Sequence, residues 1–265
     1  MAMTRKRYTV LTYNFKGYEP VREVQEKDPE AEYVLVTDDK RLRSKTWTVV
    51  PAHVNDGLSR WEKCYDVRFH PFDYANTGIV VRLDASIEVR RSLKELVDRF
   101  EGQTVAGMAV GYVRCLMIHP HRTTMQAEYE AWCCERDYPQ EQAADMLHVM
   151  RRLGYDLQTH GLFQGCFEIV RKNRVNQLIN DITYDLLRYV ASDGKMQRIS
   201  QTWLSMVVNH LIADKLNVMA VSQDIITDGR LMQWCRHGTQ EAIKIEPSIA
   251  PIMFGHKVDV WKVNP

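Results

Sequence analysis

The feature that most constrains this chain is a series of short β-rich runs that alternate with polar or helical stretches. Tyr8–Tyr13, Tyr33–Thr37, Trp47–Val50 and Ile79–Leu83 are four to six residues long, and none directly follows another. Spacing of this kind points to a parallel or mixed sheet with helices on its faces. Val105–Val110, Cys115–Ile118, Phe163–Val170 and Val218–Val221 are further strand-like runs, and Val258–Val263 alternates like a short strand. Helical periodicity covers Leu58–Phe69, Ser92–Phe100, Met125–Glu135, Gln140–Leu153, Arg174–Tyr189 and Ile199–Ala213. Ser92 reads as a cap ahead of an apolar stripe of Leu93, Leu96, Val97 and Phe100. The Arg174 helix carries Val175, Leu178, Ile179, Ile182, Leu186 and Leu187, and Gly154 closes the helix before it. The expected fold class is α/β, with a Rossmann-type mixed sheet flanked by helices. A single domain over residues 1–265 is expected, sheet-rich in its first half and helix-rich in its second.

With 265 residues, 45% of them hydrophobic and 26% charged, the chain has enough apolar material for a large core. Its net charge of +1 weighs against a surface built to coat nucleic acid, without excluding a nucleic-acid base as an acceptor. Cys64, Cys115, Cys133, Cys134, Cys166 and Cys235 form no CxxC pair and no zinc-like Cys/His spacing, so reduced thiols are expected. No apolar run reaches membrane-spanning length and no signal-peptide core is seen, so the expected location is the cytoplasm.

Several side chains stand at strand ends, where an open α/β sheet meets its ligands. Asp84 follows the Ile79–Leu83 run, a position from which a carboxylate can hold Mn²⁺ or Mg²⁺ through hard oxygen. Asp84-Ala85-Ser86 is also compatible with a plain turn. Tyr13 can stack a nucleotide base or be a half-buried strand residue. Asp38-Asp39 can grip a ribose or start a turn, and Gly17 offers an open backbone. Arg60 and Lys63 share one helical turn and suit a diphosphate, or form a solvated face with Glu62 and Asp66. His119, His121, Arg122, Glu128 and Glu130 follow an apolar run, where they can grip sugar hydroxyls or supply a general base. His256 and Lys257 are a late pair that can return to a metal and a diphosphate.

The ordered series carries a resemblance. It runs from Tyr8–Tyr13 with Gly17-Tyr18 to Val34–Asp39, Trp47, Ser59-Arg60 with Lys63, His70-Pro71 and Leu83–Ser86. His119 with His121 and Arg122, then Glu128, Ala131, Gly154-Tyr155 and Gly161-Leu162, complete it. The series resembles a glycosyltransferase-like family of plant and bacterial proteins first catalogued as a domain of unknown function, over roughly residues 8–225. The resemblance implies a GT-A fold, with a nucleotide-sugar-binding half at about 1–115 and an acceptor-side half at about 116–265. It implies transfer of a sugar from a nucleotide-diphosphate donor to a hydroxyl acceptor, assisted by Mn²⁺ or Mg²⁺. Asp84 and His256 would then hold the metal. Arg60 and Lys63 would face the donor, and His119, Arg122 and Glu128 would line the reacting side. Read from their positions in the chain, Tyr13, Asp39, Ser86 and Lys257 are further donor-side candidates and Asp156 a further candidate base. Two positions depart from the pattern: Ser86 replaces a carboxylate, and Gln201 stands where relatives carry an Asp-Gln pair. The rival readings are a nucleotidyltransferase of similar fold and a nucleotide-sugar-binding protein without catalysis. The first normally has a glycine-rich loop after the first strand, and Asn14–Gly17 is short and glycine-poor for that.

Overall fold

The computed structural model describes residues 6–54, 57–105, 108–109, 112–116, 124–135, 140–158, 163–190, 200–208, 218–221, 229–236 and 238–242. Its strands are β1 (Tyr8–Asn14), β2 (Ala31–Thr37), β3 (Thr48–Pro51), β4 (Ile79–Leu83), β5 (Ile87–Val89), β6 (Thr104–Val105), β7 (Met108–Ala109), β8 (Tyr112–Leu116), β9 (Phe163–Arg171), β10 (Val218–Val221) and β11 (Met232–Trp234). The helices are α1 (Arg60–Phe69), α2 (Lys94–Gly102), α3 (Met125–Glu135), α4 (Gln140–Arg152), α5 (Arg174–Val190) and α6 (Ser200–Met206).

Seven strands form one mixed sheet in the order β10-β8-β9-β4-β1-β2-β3. β1 runs parallel to β2 and β4, β2 to β3, and β8 to β10. β9 alone is antiparallel, to β4 on one side and β8 on the other. This is a Rossmann-like α/β sheet that takes strands from both halves of the chain. β5 and β11 make a separate antiparallel pair, as do β6 and β7.

Both faces of the sheet are covered, so its central strands read as nearly continuous apolar runs. On one face Val10, Leu35, Val81, Leu83 and Ile169 pack against Leu96, Val97 and Phe100 of α2 and Met232 of β11. On the other, Leu11, Tyr13, Val36, Val80 and Val170 meet Val67 of α1. Beyond α1, Tyr65 and Phe69 join a helical core with Met150, Ile179, Leu187 and Trp203. Each such large side chain contributes about 1.5–3 kcal/mol by burial.

α1 starts with a capping box. The Ser59 hydroxyl accepts from the Glu62 N–H at 3.3 Å, and Glu62 accepts from the Ser59 N–H at 2.7 Å. α4 ends at Gly154, whose φ of 78° permits a Schellman closure: Tyr155 N–H donates to Met150 O and Gly154 N–H to Arg151 O, both at 2.9 Å.

Several local expectations shift. α2 begins at Lys94, and Ser92 sits one place ahead of the cap residue Leu93, its hydroxyl accepting from the Lys94 N–H. The single run expected at Val105–Val110 is divided between β6 and β7. Val175 and Leu178 are 43% and 50% exposed, so the buried stripe of α5 is narrower than its periodicity suggests. The expected Val258–Val263 strand lies outside the described residues. No helix among the described residues is long and apolar enough to cross a membrane.

Candidate functional site

β1 lies between β2 and β4. The chain leaves β1 toward β2 and β3, then returns to β4 on the opposite side. Connections therefore diverge at the carboxyl ends of β1 and β4, which is where open α/β sheets bind ligands. Tyr13 stands at the end of β1 and Asp84 immediately after β4.

These two side chains meet. The Tyr13 hydroxyl donates to Asp84 Oδ1 at 2.9 Å, and Arg82 Nη1 donates to the same oxygen at 3.2 Å. Asp84 Oδ2 has no partner among the described residues, and the side chain is 33% exposed. Burial, and then the charge of Asp84, raises the Tyr13 pKa well above that of a free phenol, so the ring stays protonated and donates. Tyr13 is only 8% exposed and its ring lies along Phe15, 6.2 Å between centroids. Its face is covered by core and its hydroxyl holds the aspartate, the arrangement of the alternative reading as a strand residue.

Beneath Asp84 lies a charged network inside the sheet. Arg82 is fully buried and its Nε donates to the buried Glu168 at 2.5 Å. Arg82 Nη2 donates to Gly165 O at 2.5 Å, and Arg68 of α1 donates to the same carbonyl. A Cβ on residue 165 would overlap the Arg68 guanidinium, so a larger residue there would require that side chain to move. Cys64 is packed beside this network, and burial pushes its thiol up to about 12, which keeps it neutral. In chain order the signal for this network was Arg82 interrupting an apolar strand and Glu168 interrupting another. A guanidinium in that setting requires a buried anion.

The turn after β1 forms the rim. Lys16 and Gly17 have φ of 56° and 60°, and Tyr18 N–H closes onto Phe15 O at 3.3 Å. A positive φ is costly for lysine. It is held there by Asp38, whose Oδ1 accepts the Lys16 N–H at 2.9 Å and whose Oδ2 pairs with Lys63 Nζ at 2.9 Å. Burial opposes the charged form of Asp38, but these two donors hold its pKa below the usual range. Lys63 is 3% exposed and paired with Asp38, so it ties α1 to the end of β2. Arg60 remains at the rim, its guanidinium 3.9 Å from the Tyr18 ring centre and 4.5 Å from that of Trp61.

The other expected residues scatter. Asp39 accepts the Arg41 N–H at 2.9 Å and makes a turn. Ser86 is 1% exposed and its hydroxyl is buried without a hydrogen-bond partner, so it does not face a donor. Glu128 is 2% exposed on α3, and Asp156 is an exposed turn residue that accepts from Gln158 N–H. His119, Arg122, His256 and Lys257 lie outside the described residues.

A divalent cation fits the described donor set poorly. Asp84 already shares one oxygen with a guanidinium, Ser86 cannot reach out as a ligand, and Asp38 is committed to Lys63. No group of three His, Cys, Asp or Glu side chains suited to a metal occurs among the described residues. No protein-family model matches the chain, and no curated protein matches it.

Proposed function

We propose that the chain is a glycosyltransferase that moves a sugar from a nucleotide-diphosphate sugar to a hydroxyl acceptor. One observation carries the reading. A carboxylate with one fixed and one open oxygen, Asp84, stands at the switch point of a Rossmann-like sheet, with the exposed Lys16 and the half-buried Arg60 at the rim. Switch points of this kind bind nucleotide-bearing ligands.

In the transfer, the acceptor oxygen bonds to the anomeric carbon. The bond from that carbon to the diphosphate oxygen breaks, and its electron pair leaves with the diphosphate. The acceptor proton passes to a base. Lys16 and Arg60 oppose the charge that grows on the leaving group. Asp84 Oδ2 accepts a hydroxyl of the donor and orients it, while Tyr13 and Arg82 keep the carboxylate from rotating. The reading retains a cytoplasmic setting, supported by the free thiols of Cys64, Cys166 and Cys235.

The test is consumption of a panel of nucleotide sugars, with and without Mn²⁺, by the protein and by Asp84→Asn. At least one donor should be hydrolysed or transferred, and the variant should be at least about tenfold slower. A protein that neither binds nor consumes any donor refutes the reading.

A further inference from the structure

We infer that this site takes the diphosphate of its ligand without a divalent cation. The inference rests on the donor reading above and concerns how the ligand's charge is met. One oxygen of Asp84 is already held from within the protein. Arg82 Nη1 lies 3.2 Å from its Oδ1, and the hydroxyl of Tyr13 lies 2.9 Å from the same atom. Arg82 is itself fixed by the buried Glu168 and by Gly165 O, so it cannot swing aside to admit an ion. A dication chelated by both oxygens of Asp84 would have to displace that guanidinium from Oδ1. Ser86, the only other side chain of the Asp-x-Ser stretch that could ligate, is sealed from the edge. Asp84 is thus set up to accept a hydroxyl through Oδ2, and a metal ligand's role does not suit it.

The diphosphate then needs other cations. Lys63 is committed to Asp38. Among the described residues, the cations at the rim are Lys16, on the turn that Asp38 holds in a left-handed conformation, and Arg60, stacked on Tyr18 of the same turn. Lys16 has a φ of 56°, an uncommon backbone conformation for a lysine, and Asp38 accepts its N–H at 2.9 Å. Lys16 is exposed on the turn that follows β1, at the sheet end where open α/β folds bind their ligands.

The experiment titrates nucleoside diphosphates calorimetrically in excess EDTA and again in Mn²⁺, and titrates Mn²⁺ alone into the protein and into Asp84→Asn. One diphosphate should bind with affinities that agree within about threefold in the two conditions. Lys16→Asn with Arg60→Gln should weaken it by about a hundredfold in both; asparagine tolerates the positive φ, so the turn is kept. Mn²⁺ alone should show no site that Asp84→Asn removes. Binding that requires Mn²⁺, or a Mn²⁺ site lost in Asp84→Asn, overturns the inference and leaves the transferase reading standing. Absence of binding in both conditions overturns the two together.

Discussion

Arg82→Met removes the guanidinium and keeps most of the apolar stem. It takes four contacts from the centre of the sheet: Glu168 at 2.5 Å, Gly165 O at 2.5 Å, and Tyr13 and Asp84 at 3.2 Å each. The Arg82 and Glu168 side chains are 0% and 1% exposed, so the variant leaves a carboxylate in the interior without its guanidinium. Breaking such a pair from one side costs about 3–5 kcal/mol. For a chain of this size each kcal/mol lowers the midpoint by about 2–4 °C, so a fall of about 10 °C is expected by calorimetry or circular dichroism. The double variant Arg82→Met with Glu168→Leu buries no charge and should recover much of that loss. Urea unfolding of both singles and the double closes the cycle. A loss below about 1 kcal/mol in Arg82→Met, or a double variant worse than the sum of its singles, refutes the argument that a buried ion pair organises this edge.

His70 should make stability fall as pH rises. Its hydrogen bond to Asp66, with the charges of Asp66, Asp73 and Asp181, raises its pKa above 6.5. The protonated ring therefore stabilises the fold below that value, and the contribution is lost as pH climbs through the raised one. His70→Gln should flatten the stability profile between about pH 6 and 8, and an unchanged profile contradicts the assignment. On α5, Ile179 is fully buried and Leu178 is 50% exposed. Ile179→Ala should cost about 2–5 kcal/mol and Leu178→Ala less than about 0.5, measured by denaturant unfolding; equal costs would show that the stripe was misjudged. Glu19 joins Arg22 at 3.3 Å and the Gly238 N–H at 3.0 Å in a buried clamp between the β1–β2 connection and the 238–242 segment. Glu19→Ala should cost about 3–5 kcal/mol by the same assay, and a loss within about 0.5 kcal/mol would count against the clamp.

The sheet was legible because its strands are buried on both faces. Ile79–Leu83 and Val218–Val221 match their observed strands residue for residue, and Met125–Glu135 matches its helix. β11 was missed, since three residues that pair only with β5 carry too little pattern to stand out. The placement of Asp84 followed from strand geometry. The roles of Tyr13, Ser86 and Lys63 did not, because a sequence shows neither which way a strand-end residue turns nor what neutralises it. Register and pairing decide both. Arg82 and Glu168 stand opposite each other across β4 and β9, strands that are 86 residues apart at that pair. That antiparallel pairing becomes visible only when the sheet is assembled.

The most direct measurement is a crystal structure of the protein soaked with a nucleotide sugar that it binds. The diphosphate should lie within ionic reach of Lys16 and Arg60, and a donor hydroxyl should lie about 3 Å from Asp84 Oδ2 while Tyr13 and Arg82 keep Oδ1. Donor density at another edge of the sheet, or an Asp84 that turns away from the bound ligand, would contradict the account.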